Sequence, residues 1–127
     1  MTLCAEDVIG SSPVNVKWNI VRGDTATLRI DFLEDDETTA YNISSWVIES
    51  SVYNPRTGAR NDLEITKNNG WIVLTARADL TAQWGDGFRY RVNELNFDVE
   101  VTLSDGTVWT PVVGVISLIS DISGARL

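Results

Sequence analysis

The sequence contains no histidine and only one cysteine among its 127 residues. Histidine is the commonest general base, a usual zinc ligand and the usual partner of a nucleophilic serine or cysteine. Its absence argues against hydrolytic and metal-dependent catalysis, so we predict a non-enzymatic protein with no cofactor and no metal. Cys4 cannot form an internal disulfide, and we expect a free thiol that nothing activates.

Long apolar runs and an excess of basic residues are also missing. No stretch approaches the roughly 20 apolar residues that cross a bilayer, and residues 1–7 have neither the basic region nor the apolar core of a secretion signal. The net charge of −8 argues against nucleic acid or an anionic membrane surface as the main partner. These absences predict a soluble protein that is made in a cytoplasm.

What the sequence does have is enough apolar material for one packed domain, because apolar residues make up 43% of the chain and include five Trp. Residues 14–20 and 26–32 alternate apolar and polar side chains, which is typical of half-buried strands. Gly23 and Asp24 lie between them. Glycine adopts the backbone angles of a tight corner, and an aspartate carboxylate accepts a backbone N–H there. We therefore interpret Gly23 and Asp24 as a structural turn.

Strand and turn patterns continue to the end of the chain. Further strands are predicted over residues 46–53, 63–66, 71–76, 88–92, 96–103 and 107–118, with one short helical turn over 79–84. Gly70 ends a strong hairpin signal, and Gly106 closes a second tight turn. Pro111 and Gly114 predict that the last strand is bent or lies on an edge.

Seven to eight strands with closely spaced turns predict an all-β fold, a single antiparallel β-sandwich. We assign it to residues 14–120. Residues 1–13 are expected to form an N-terminal arm, either frayed or docked on a neighbour, and residues 121–127 a C-terminal tail.

Most of the large aromatic residues are predicted to lie in the core, because they share the apolar phase of their strands: Trp18, Trp46, Trp71 and Phe97. Trp84 and Trp109 are different. Trp84 lies beside a glycine-rich turn, and Trp109 is adjacent to Val108 on a strand where both cannot point inward. Either tryptophan is a candidate for an exposed apolar patch that contacts a partner.

Three short patterns hint at other chemistry, and each has a simpler explanation. Asp98 and Glu100 could serve a glycosidase, but their strand phase places them on a solvated outer face. The acidic residues 31–37 attract calcium in principle, yet they lack the spacing and the glycine of an EF-hand loop. Arg22-Gly23-Asp24 is the integrin-binding tripeptide, but Gly23 and Asp24 are already explained by the structural turn. A small hydrolase is the least favoured of our three hypotheses, and the next paragraphs give the other two.

A set of motifs over residues 14–123 resembles the small immunoglobulin-like modules of tailed-bacteriophage virion proteins, including the N-terminal domain of upper baseplate proteins and tail-fibre and neck components. The motifs are Trp18-x-Ile20-x-Arg22-Gly23-Asp24-Thr25, Leu28-x-Ile30-x-Phe32, Ile43-Ser44-Ser45-Trp46, Asn54-Pro55-x-Thr57-Gly58, Thr81 with Gly87-x-x-Tyr90, and Asp98-Val99-Glu100-Val101-Thr102-x-Ser104-Asp105-Gly106-Thr107. The resemblance implies an immunoglobulin-like sandwich and a multi-copy virion structural subunit of a tail, baseplate or neck.

Under this leading hypothesis the partners are other virion proteins and copies of the same chain, and the protein is located in the virion after synthesis in the host bacterial cytoplasm. The expected partner contacts are the apolar residues of the two terminal segments and the two uncertain tryptophans: Leu3, Val8, Ile9, Trp84, Trp109, Ile119 and Ile122. The alternative is a carbohydrate- or receptor-binding module on a fibre or capsid surface, with Trp84, Tyr90 or Trp109 stacking on a host-surface glycan.

Overall fold

The computed structural model describes residues 2–4, 13–34, 36, 38–84 and 93–119. Within these residues nine strands and one short helix follow one another: β1 (Thr2–Cys4), β2 (Val14–Val21), β3 (Ala26–Leu33), β4 (Val47–Tyr53), β5 (Arg60–Asp62), β6 (Glu64–Lys67), β7 (Trp71–Ala76), α1 (Ala78–Thr81), β8 (Asn93–Thr102) and β9 (Val108–Ile119). The helix overlaps the predicted helical turn only in residues 79–81, whereas the strand predicted over 88–92 lies outside the described residues.

The strands form two sheets that pack as a β-sandwich, so the predicted fold class is confirmed. One sheet has the order β1-β3-β7-β6 and the other β2-β9-β8-β4-β5. Most neighbouring strands pair antiparallel. Two parallel pairs, β1 with β3 and β2 with β9, depart from that antiparallel scheme.

The core lies between the inward faces of the two sheets. On each strand alternate residues are buried, as in Ile30 and Phe32 of β3 or Val99 and Val101 of β8. Phe32 reaches across from the four-stranded sheet and packs edge-to-face on Trp46, with ring centroids 5.2 Å apart. Edge-to-face contact is a favoured geometry for aromatic pairs, and here it joins the end of β3 to the residue that precedes β4.

Both predicted hairpins are present, and each has a glycine with a positive φ in its turn. Gly70 has a φ of 85° and links β6 to β7, while Gly106 has a φ of 90° and links β8 to β9. The N–H of Gly106 donates to the carbonyl oxygen of Leu103 at 3.0 Å. Because L-residues with a side chain rarely adopt such φ values, glycine sets the sharpness of both turns.

β9 contradicts one of the two predicted alternatives, an edge strand or a bent strand. It is not an edge strand, because it lies between β2 and β8. The register slips between Val99 and Val101 of β8, opposite the segment of β9 that contains Pro111. A bulge leaves one residue outside the regular ladder, so the missing N–H of Pro111 is tolerated in a central strand.

Residues 2–4, predicted to belong to a frayed or neighbour-bound arm, pair with β3 of the same chain. Thr2 lies opposite Asp31 and Cys4 opposite Leu33 in a parallel ladder. Elsewhere in the described part of the chain the one helix is a single turn, and no helix there is long and apolar enough to cross a membrane.

Candidate interaction surfaces

The corner that carries Arg22, Gly23 and Asp24 is locked against α1. Gly23 has a φ of 88°, and its N–H donates to the hydroxyl oxygen of Thr81 at 3.0 Å. Arg22 is buried, and its Nε donates to the carbonyl oxygen of Ala82 at 3.1 Å. Integrin recognition needs both charged side chains presented outward, so this corner is a structural joint between the sheets.

Trp84 and Trp109 are both core residues, each with only 3% of its surface exposed. Trp109 packs edge-to-face on Trp46, with ring centroids 5.9 Å apart. The expectation that either tryptophan covers an exposed patch is therefore wrong. On β9 the larger Trp109 takes the inward position and Val108 the outward one, while the buried indole N–H of Trp84 has no hydrogen-bond partner among the described residues.

Trp71, in contrast, is not part of the core. It is only partly buried, because on β7 the inward positions belong to Ile72, Leu74 and Ala76. The guanidinium of Arg29 lies 3.9 Å from the centre of the Trp71 ring, and Arg29 also pairs with Asp31 at 2.9 Å. A cation over the ring covers it on the outside of the four-stranded sheet.

Of the other expected contact residues, Ile119 is at the surface, with 42% of its area exposed at the end of β9. Leu3 lies in β1 next to Phe32 of β3 in the ladder. Val8, Ile9 and Ile122 lie outside the described residues, as does Tyr90. Among the expected contact residues that the structure describes, the two tryptophans are buried and share no exposed patch with Ile119.

β2 is the longest edge strand in the described part of the chain. The N–H of Arg22 donates to the carbonyl oxygen of Ile119 at 2.7 Å, so even-numbered residues of β2 direct their backbone groups towards β9. In a parallel ladder the intervening residues direct theirs to the other side. Asn15, Lys17 and Asn19 therefore present N–H and C=O groups along an edge that no other described strand covers.

The outer face of the five-stranded sheet carries an open groove of about 1050 Å³. Strand register lines up its side chains in two rows across the sheet. The first row is Lys17, Val115, Asn96, Tyr53 and Arg60, and the second is Asn15, Val113, Asp98 and Ser51. Glu94 and Glu100 flank the rows on β8. We call this surface the sheet groove.

Most polar groups of the sheet groove are not engaged with other side chains. Arg60 donates to the hydroxyl of Ser51 at 3.2 Å, and Ser51 donates to Asp62 at 3.1 Å. No hydrogen bond or ion pair to another described residue is made by the side chains of Glu94, Asn96, Asp98 and Glu100. Elsewhere carboxylates are used within the fold, as in the pairing of Glu64 with Arg77 at 3.2 Å.

In the acidic loop after β3, the carboxylate of Asp36 stabilises a turn. Asp36 accepts hydrogen bonds from the hydroxyl of Thr39 and from the backbone N–H groups of Thr38 and Thr39. These bonds, the hydroxyl first, lower the pKa of Asp36 from 3.8 to about 2. No metal-binding cluster of carboxylates or cysteine occurs among the residues described. Asp36 is thus a cap of its own loop, while residues 35 and 37 lie outside the described ranges.

No protein-family model matches this chain, and no curated protein matches it either. Among solved structures, the N-terminal domain of phage TP901-1 ORF48 is similar at a TM-score of 0.45 and 12% identity, over 94% of each chain. The bradyzoite-specific antigen BSR4 of Toxoplasma gondii is similar at a TM-score of 0.44 and 10% identity, over 87% of this chain. This chain spans only 45% of that antigen. At these TM-scores neither similarity supports a conclusion about role.

Proposed function

We propose that this chain is a non-enzymatic structural protein of a tailed-bacteriophage virion. In this proposal it is present in many copies and joins neighbouring components of a tail, baseplate or neck. The sequence resemblance over residues 14–123 supports the class. Its partners are then other virion proteins and copies of itself, and it reaches the virion after synthesis in the host bacterial cytoplasm.

The observation that carries the proposal is the edge of β2, which no other described strand covers. Edge strands are templates for pairing with another chain, and soluble proteins usually keep them short or interrupt them. β2 has eight residues and Lys17 as its single charge. The exposed residues Val14 and Ile119, at 40% and 42%, lie at opposite ends of this side of the sheet. A strand of a neighbour could therefore pair along β2, with Val14 as an apolar contact at its start and Ile119 one strand further in, on β9.

Repetition makes such a contact effective in an assembly. In a ring or a stack each copy repeats the same contact, so a modest energy for each edge is multiplied while the free subunit remains soluble. Such β-strand addition needs backbone groups and no reactive side chain.

The test uses one position with two substitutions. Asn19→Pro removes an N–H that points away from β9, so the domain should still fold, since proline is accepted on the open side of an edge strand. Asn19→Ala keeps that N–H and is the matched control. Thermal melting checks the fold of both variants. Mass spectrometry of purified virions, from the host and phage that carry the gene, measures incorporation.

We expect Asn19→Ala to be incorporated normally and Asn19→Pro to fall by about tenfold, as for the loss of one hydrogen-bonded contact of about 1.4 kcal/mol. Full occupancy of a folded Asn19→Pro variant would contradict the role of the β2 edge. Absence of the unmodified protein from purified virions would contradict the proposed function as a whole.

The alternative of a glycan- or receptor-binding module loses two of its three expected platforms, because Trp84 and Trp109 are buried. The sheet groove offers this alternative a different location.

A further inference from the structure

The sheet groove combines unused hydrogen-bonding groups with an exposed aromatic ring. Tyr53 is 45% exposed on the outer face of β4, directly opposite Asn96 of β8 in the ladder. In the same row Val115 is adjacent to Asn96 on the other side. A tyrosine ring offers an apolar face for stacking and a hydroxyl for hydrogen bonding, so this row presents apolar and polar recognition side by side.

The polar groups along β8 are mainly acceptors. Glu94, Asp98 and Glu100 supply carboxylate oxygens, and Asn96 adds an amide that both accepts and donates. Glu100 lies opposite Glu49 of β4 in the register, and like charges in directly opposed positions reduce the stability of a sheet. The acidic side chains of this face therefore lower the stability of the fold. Their oxygens favour a ligand that carries many hydrogen-bond donors.

The charges narrow the class of ligand. Three carboxylates in the groove would repel an anionic polymer, because only Lys17 and Arg60 at its two ends carry positive charge. An extended peptide usually binds by adding a strand at a sheet edge. That mode is closed here, since β9, β8 and β4 are each paired on both sides. Hydroxyl groups of a neutral sugar would donate to the carboxylates without a charge penalty.

The dimensions agree with a linear ligand. The first row crosses five strands, and four inter-strand steps of roughly 4.8 Å give a length of about 19 Å. Val113 and Val115 place apolar side chains in the two rows, and the strand segments at Val16, Phe97 and Gly114 line the groove between them. An open strip of this length, with an apolar floor and polar sides, accommodates several linked sugar rings.

We propose that the sheet groove is a binding site for a neutral oligosaccharide, with the Tyr53 ring stacked on one sugar ring and Asn96, Asp98 and Glu94 accepting its hydroxyl hydrogens. This site goes beyond the assembly role proposed above and does not depend on it. The β2 edge uses backbone groups, whereas the groove uses side chains, and although Asn15 and Lys17 belong to both, Asn19 does not line the groove.

The experiment is a titration of the isolated chain, labelled with ¹⁵N, with four neutral hexasaccharides: cellohexaose, maltohexaose, xylohexaose and chitohexaose. Chemical-shift changes locate the site and give the dissociation constant. We expect saturable binding to at least one sugar, with the largest shifts at Lys17, Ser51, Tyr53, Asn96 and Val115. Tyr53→Ala should weaken that binding by about tenfold through the loss of stacking.

Thr27→Ala is the matched control, since Thr27 is exposed on a strand of the other sheet. It should bind as the unmodified chain does. The dispersion of the ¹⁵N spectrum reports whether each variant is folded. If Tyr53→Ala does not fold, Asn96→Ala tests the groove in its place.

Absence of saturable binding to all four sugars overturns the proposal. Binding with shifts outside the groove, or unaffected by both Tyr53→Ala and Asn96→Ala, overturns the location. A lysine-rich peptide that binds the groove when no sugar does would assign the acidic face to a cationic protein partner instead. None of these results affects the virion-incorporation test, which stands on the β2 edge.

Discussion

The hydroxyl of Thr81 donates a hydrogen bond of 2.7 Å to the carbonyl oxygen of Asp24 and also accepts one from the N–H of Gly23. Thr81 is fully buried at the end of α1. A single hydroxyl group therefore holds the corner where the chain leaves β2 for β3, and it pairs with two backbone groups, of which the N–H of Gly23 is buried.

Thr81→Val should destabilise the domain by about 1–3 kcal/mol, because valine keeps the shape but leaves those backbone groups unpaired. Urea unfolding followed by tryptophan fluorescence measures the change. Thr81→Ser restores the hydroxyl and should recover most of the loss, less the contribution of one methyl group. Equal stability of the valine and serine variants would show that the hydrogen bonds contribute little.

Two truncations compare a tryptophan of the core with a tryptophan on the outer face of a sheet. Trp46→Ala removes a buried ring that contacts Phe32 and Trp109, and it should cost about 3–5 kcal/mol. Trp71→Ala removes a partly buried ring covered by Arg29, so the cost should be nearer 1 kcal/mol. Thermal and urea unfolding of both variants give the comparison. If Trp71→Ala proved the more damaging, the assignment of the two sheet faces would be wrong.

Gly114 is predicted to tolerate a side chain less well than Gly106 does. An added Cβ would lie 2.3 Å from the carbonyl oxygen of Val16 and 2.5 Å from Cε1 of Phe97. Gly114→Ala must therefore move either a backbone or a core ring, and such overpacking costs about 1–3 kcal/mol or more. Gly106→Ala is the comparison, since its Cβ meets nothing within 4 Å and only the positive φ opposes it. A smaller loss at Gly114 than at Gly106, by calorimetry, would contradict this ranking.

The Asp36 loop should show a low titration midpoint. Its folded pKa of about 2 lies below the ordinary 3.8, so its contribution to stability is complete above pH 3.8 and is lost as the pH falls through about 2. NMR titration of the Asp36 carboxyl carbon measures the midpoint directly. The amide signals of Thr38 and Thr39 should move with it.

Asp36→Asn is the control for that titration, because the amide oxygen still accepts a hydrogen bond while carrying no titrating proton. Its Thr39 amide signal should stay near the original position and lose its pH dependence in this range. A carboxyl midpoint near 3.8 would mean that the turn is not formed in solution.

Strand positions were predictable from the sequence because burial on one face imposes a period of two. Ile30 and Phe32, or Val99 and Val101, alternate with polar residues and leave one choice of face. Trp71 shows where this rule fails. The run from Trp71 to Leu74 is apolar in both phases, so the pattern alone cannot tell which phase is inward, and the larger ring lies outside.

The sheet groove could not have been found in the same way. Its residues are close only because β2, β9, β8, β4 and β5 are neighbours, and the β2–β9 pair joins opposite ends of the described chain in parallel. Single-strand periodicity carries no information about which strands pair or in which register. The polar alternation of β8 did predict that Asp98 and Glu100 face outward, but not that Tyr53 and Lys17 would lie in the same row as Asn96.

The parallel β2–β9 ladder has a mechanical consequence. Its eight residue pairs, from Val14 opposite Val112 to Val21 opposite Ile119, connect the first long strand of the domain to the last. A force that pulls residue 13 and residue 119 apart would slide these strands past each other, so the bonds of the ladder bear the load together. The antiparallel β8–β9 hairpin, opened from its free end, would instead lose its hydrogen bonds in succession. A subunit attached to its neighbours through its two ends would therefore resist tension along the chain far better than peeling from the side.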